Sequence, residues 1–140
     1  MSTEEKFYRR AEEMLFQILE LNPVAATEMG DHRWDDRLSD MSPAGLEHQY
    51  RMLQAALAEV QALDTAAFSL AARIDHTLIV QILASLLRRF EKVQDHLRNP
   101  GGYLNEALAG VFFLVIKDFA PLPERLRSAL GRMRETPRLL

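Results

Sequence analysis

Asp31, His32, Asp35 and Asp36 fall within six residues of one another. Carboxylate oxygens and one imidazole at this spacing could hold a hard or borderline cation. Arg33 and Arg37 lie among them, with Trp34, the only Trp of the chain, in the middle. Two arginines disfavour a dication and suggest another reading: the Asp side chains pair with Arg and cap local turns. On that reading Trp34 anchors the loop against helices, and no residue from Asp31 to Arg37 is a catalyst or a metal ligand.

Motifs for other chemistry are absent. None of His32, His48, His76 or His96 is followed by Glu, so the zinc-peptidase motif H-E-x-x-H is absent. No His follows a Glu by three residues, which removes the ligand pairs of carboxylate-bridged di-iron bundles. There is no G-x-S-x-G elbow, P-loop or G-x-G-x-x-G. His76 reads as a packing residue, and His48 and His96 as residues on wet helix faces. The chain has no Cys, which excludes disulfides and thiolate sites and fits a reducing compartment.

The totals bound the rest. A chain of 140 residues, 48% of them hydrophobic, makes one domain with a real core. A net charge of -3 argues against nucleic acid and anionic membranes as partners. The segment from Pro121 onward carries five Arg, read as a solvated helix face. The charged N-terminus shows no secretion signal. The longest uninterrupted apolar run, Val111 to Ile116, falls short of the roughly 20 residues of a membrane span. The expected location is the cytoplasm.

The elements that must position the loop read as helices throughout. Ser2 and Glu5 have capping-box spacing, and Phe7, Ala11, Met14, Ile18 and Leu21 stripe a helix from Thr3 to Leu21. Asn22-Pro23 starts a short helix that Gly30 stops. Ser42-Pro43 starts another, striped by Leu46, Tyr50, Leu53, Leu57 and Val60 to about Leu63. The central helix is expected over 72–97, buried through Leu86 and Phe90 in one stripe, with Ile79, Leu83 and Leu87 in a second. Asn99-Pro100-Gly101-Gly102 ends it. A nearly all-apolar helix follows over about 103–118, and a last one from Pro123 faces inward through Leu126, Leu130 and Met133 until Pro137 interrupts it. The fold expected is all-α, a bundle of five to six helices.

Four pieces in this order carry a family resemblance: NPVAATEMGDHRWDDRLSDMS, RIDHTLIVQIL, RNPGGYL and DFAPLPERLRSALGRMRETPRLL. Together they resemble the N-terminal region of the bacterial family catalogued as domain of unknown function 885. The resemblance implies a longer, almost wholly helical protein like the zinc-dependent peptidases, with its H-E-x-x-H helix in a C-terminal half that this chain lacks. Zinc is implied for that longer parent alone. Gly30-Asp31-His32-Arg33 and Asp35-Asp36-Arg37 map onto the family's loop by position, shaping a cleft mouth or tying helices together. The first expectation is an N-terminal metallopeptidase fragment, residues 1–140 of a larger helical domain, inactive alone. The alternative is a self-contained helical interaction module that forms homo-oligomers through apolar helix faces.

Overall fold

The computed structural model describes residues 1–139. Among them the protein is all-helical, with no strand. The helices are α1 (Thr3–Leu21), α2 (Pro23–Met29), α3 (Pro43–Gln61), α4 (Leu70–Arg88), α5 (Asp95–Arg98), α6 (Pro100–Ile116) and α7 (Leu122–Leu139), and a π-helical turn (Arg89–Val93) joins α4 to α5.

Local chemistry sets most boundaries. At α1 the Ser2 hydroxyl accepts from the Glu5 amide (3.1 Å) and the Glu5 carboxylate from the Ser2 amide (2.6 Å), the reciprocal box its sequence predicts. Ser42 caps α3 by accepting from the Gly45 amide, with Pro43 in the first turn. Gly30 closes α2 at φ 93°, a left-handed conformation that glycine adopts without a Cβ penalty. Asn22 departs from expectation. Its side chain does not cap α2; it donates to the Ile18 carbonyl at the end of α1 and accepts from Gln49 of α3.

One core lies between α1, α3 and α4, built on Met14, Leu53, Ala56, Val60, Leu83 and Leu87. A second, built on Val24, Leu38, Ala107 and Leu139, joins α2 and the following loop to α6 and α7. Phe7, Phe68 and Ala72 form a small third cluster. His76 completes it, one ring nitrogen 2.8 Å from the Val60 carbonyl, which is the packing role read from the sequence.

Three helices differ from the sequence reading. The central helix is not continuous over 72–97: α4 stops at Arg88, and Gln94 turns the chain at φ 56°. The break precedes Asn99-Pro100, and Pro100-Gly101-Gly102 form the first turn of α6, where the missing proline N–H costs nothing. On α4 the buried stripe is the one with Leu83 and Leu87; Leu86 and Phe90 are half-buried, and Ile74, Leu78 and Ile82 are exposed. The two stripes have similar composition, so the position of α3 decides which is covered.

In α7 the helix runs through Pro137 to Leu139. Its buried face is Arg125, Ala129, Arg132 and Leu139, while Leu126, Leu130 and Met133 point outward. Apolar spacing misreads this face because the arginines reach backbone carbonyls inside.

By length and composition Leu70–Arg98 is also apolar enough to cross a membrane, which a count of uninterrupted apolar residues misses. One face of this segment packs on α3 through Leu83 and Leu87, while only 17% of its apolar window is buried.

Gly110 sits where α6 meets the loop. A Cβ there would lie 2.8 Å from Leu38 Cδ2 and 3.1 Å from Val24 Cγ2, both on buried side chains. Helix propensity favours Ala over Gly by about 1 kcal/mol. Overpacking costs about 1–3 kcal/mol. Gly110→Ala is therefore expected to lower stability by about 1 kcal/mol net in a urea melt. A stabilised variant would show that Leu38 and Val24 yield freely.

Candidate functional site

The loop from Asp31 to Met41 is fastened along its length by α7 and α6. Arg132 is fully buried and spends its fork on five acceptors. Its Nε donates to the Arg37 carbonyl (2.9 Å) and Nη1 to the Gly110 carbonyl (2.7 Å). Its Nη2 reaches the Thr27 hydroxyl (2.6 Å), the Pro23 carbonyl (3.1 Å) and, more loosely, the Trp34 carbonyl (3.4 Å). Further along, the Leu38 amide donates to Glu135 (2.8 Å) and the Ser39 amide to Glu106 (2.9 Å). Arg138 pairs with Asp40 at 3.3 Å.

Each residue singled out in the sequence has a place here. Asp35 is buried; it accepts from the Thr27 hydroxyl (2.6 Å), lies 2.9 Å from His32 Nδ1, and faces Arg132 at 4.0 Å. The His32 ring stacks on Phe119, centroids 3.6 Å apart. Asp31 pairs with Arg33 through Nε at 2.9 Å. The Arg33 guanidinium lies over both Phe16 of α1 and Trp34, 4.4 Å from each ring, so the half-buried Trp34 reaches the helices through Arg33. Arg37 reaches Glu20 at 3.9 Å, and Asp36 is exposed against Gly131 of α7.

Desolvation pulls the Arg132 guanidinium below its ordinary value, and the Asp35 carboxylate opposes that. Hydrogen bonds from Arg33 hold the Asp31 carboxyl below its usual range. A carboxylate depressed in the folded state stabilises above its unfolded pKa and loses that contribution as pH falls through the folded value. The melting-temperature gap between wild type and Asp31→Asn is therefore expected to narrow as pH falls below about 4. A gap that widens in acid, in melts across a pH series, contradicts this assignment.

Asp31 is engaged by Arg33 and Asp35 lies against Arg132, and no three His, Asp or Glu groups among the described residues gather closely enough to hold an ion.

The five arginines after Pro121 are not simply a solvated face. Arg132 locks the loop, and Arg125 closes the end of α6 by donating to the carbonyls of Val115, Lys117 and Ala120, each at 2.8 Å, and to Asp118 at 3.0 Å. Those carbonyls have no partner in the helix, and a cation beside them also complements the helix dipole.

A second feature escaped the sequence reading. Between α3, the π turn, α5 and the start of α6 lies an open cavity of about 440 Å³, lined by Leu46, Glu47, Tyr50, Phe90, Glu91, His96 and Tyr103 among others. His96 belongs to this wall and is half-buried, not on a wet face. No sequence signal marks a π turn; the nearby Asn99-Pro100 marks only a break.

The family described as "Bacterial protein of unknown function (DUF885)" matches residues 23–140. The chain belongs to this family. The match includes the loop, Arg125, Arg132 and the cavity. A solved structure from Shewanella oneidensis, described as a proposed lipoprotein of unknown function, is similar to this DUF885 chain with a TM-score of 0.79 and 27% identity. The similarity covers 89% of this chain and 22% of that one, so the chain spans about a fifth of the length of this relative. No curated protein matches it.

Proposed function

We propose that this chain is the helical N-terminal region of a metallopeptidase-like protein, with no complete catalytic site of its own. The observation that carries this is the outward apolar face of three helices. Ile74, Leu78 and Ile82 on α4, Leu108 and Phe112 on α6, and Leu130 on α7 are each about half exposed or more. Large apolar side chains left outward along a helix suit a face that something else covers. Family membership and the 22% span of the solved relative favour further helices of the same protein as the cover. The loop, tied down by Arg132, then serves as a fixed rim and leaves the chemistry to other residues.

The test is direct. The purified 140-residue chain is assayed for bound zinc and for cleavage of a peptide library, beside a longer member of the family. Zinc and chelator-sensitive cleavage in the longer protein alone support the reading. Tight one-to-one zinc and hydrolysis in the short chain overturn it.

The same faces support the second reading, a helical module that associates with itself. Light scattering separates the two. A discrete dimer or tetramer, stable on dilution, favours the module; polydisperse association through unclad surface favours the larger protein, and a clean monomer at high concentration counts against it.

A further inference from the structure

The cavity beside the π turn is explained by neither reading. It exists because the chain leaves α4 by an irregular route. Arg89–Val93 form a wide turn, and Gln94 takes a left-handed conformation that a residue with a Cβ rarely adopts. The chain therefore folds away after Phe90, and α5 stands off α3.

Aromatic rings line the resulting space. Phe90 lies between Tyr50 (6.0 Å) and His96 (5.4 Å). The Tyr103 hydroxyl donates to the His96 carbonyl (2.9 Å), which fixes that ring against α5. A neighbouring hollow of about 270 Å³ shares Leu46, Phe90, His96 and Tyr103 with the first, so the two are parts of one groove.

Charge sets what the groove takes. Its acidic residues are Glu47, Glu91 and Asp95; Glu47 pairs with Arg51 (2.6 Å) and Asp95 with Arg89 (2.6 Å). Glu91 accepts from the Tyr50 hydroxyl (2.8 Å) and has no cation at salt-bridge distance among the described residues. One exposed carboxylate is left without a cation partner at the edge of an aromatic wall. Ring faces attract cations, an unpaired carboxylate adds to that attraction, and the apolar floor of Leu46 and Phe90 takes a hydrocarbon stem.

We propose that this groove binds an organic cation on an apolar stem, an alkylammonium group placed between the Glu91 carboxylate and the rings of Tyr50, Phe90 and His96. The group could come from a free amine or from a lysine side chain of a peptide. Both present the same chemistry, and the groove is open enough to admit either.

The test uses the full chain and three probes: hexylammonium, hexanol, and the blocked peptide acetyl-Ala-Lys-Ala-amide. Binding is followed by NMR on the ring resonances of Tyr50, His96 and Tyr103. Hexylammonium is expected to shift them saturably, and hexanol to bind on the order of tenfold more weakly. Glu91→Gln, which keeps an acceptor for Tyr50, is expected to weaken the amine by a similar factor. Glu12→Gln, on an exposed position of α1, should leave binding unchanged. Tighter binding of the peptide identifies the source as a peptide lysine; tighter binding of hexylammonium identifies a small amine. No saturable shift up to about 10 mM, or equal binding of hexanol, overturns the proposal. So does amine binding that Glu91→Gln leaves untouched. The hexanol comparison needs no variant, so the outcome does not depend on the fold tolerating a substitution.

Discussion

Replacing Arg132 with Met is expected to lower stability by about 3–5 kcal/mol, the usual cost of removing one partner from a buried charged network. Methionine fills much of the volume but supplies none of the donors. The carbonyls of Pro23, Arg37 and Gly110 lose their guanidinium bonds, and the buried Asp35 loses the cation that faces it. Arg132→Lys is expected to recover less than half of the loss. One ammonium has three donors on a compact head and cannot reproduce a planar fork that reaches three directions at once. Urea melts give the energies, and Trp34 gives an independent signal because its carbonyl is held by the same side chain. A loss below about 1 kcal/mol, with Trp34 fluorescence unchanged, would mean that water replaces the guanidinium at little cost.

The second large effect lies in the other core. Leu83→Ala is expected to cost about 2–5 kcal/mol, because Leu83 is only 2% exposed between Leu53, Val60 and Leu87 and leaves a cavity when shortened. Ile82→Ala, one residue earlier on the same helix, is expected to cost less than about 0.5 kcal/mol, since Ile82 is 57% exposed. Leu86→Ala and Phe90→Ala should fall between them. Equal losses at positions 82 and 83 would mean that a second surface already covers α4, as in an oligomer.

Local features were legible in the sequence. The Ser2-Glu5 box, Ser42-Pro43 and the Gly30 stop are each decided by a few neighbouring residues, and each appears as read. The class of fold was legible because amphipathic spacing persists along almost the whole chain. What failed needed partners. Composition does not distinguish the Leu83 stripe from the Ile82 stripe, and only the packing of α3 and α1 does. Arg132 was hidden for a similar reason. Arginine on an amphipathic helix is usually solvated, and it goes inside only where several acceptors converge on it from distant segments. In the loop, the pairing of Arg33 with a nearby Asp was readable, while the buried role of Asp35 depends on Thr27 and Arg132. The groove was invisible because a π turn and a left-handed Gln94 have no sequence pattern.

Arg132 also orders events in time. Its acceptors on Pro23, Thr27, Trp34 and Arg37 lie 95 to 109 residues earlier in the chain. The loop amides of Leu38 and Ser39 likewise wait for Glu135 and Glu106. During synthesis the α1, α3 and α4 core can close without any of these groups, since its buried residues form a cluster separate from the one at α6 and α7. Before α7 is made the loop has ties to earlier segments alone, among them Asp35 to Thr27 and Arg33 to Phe16, and Arg132, Glu135 and Arg138 add the rest together.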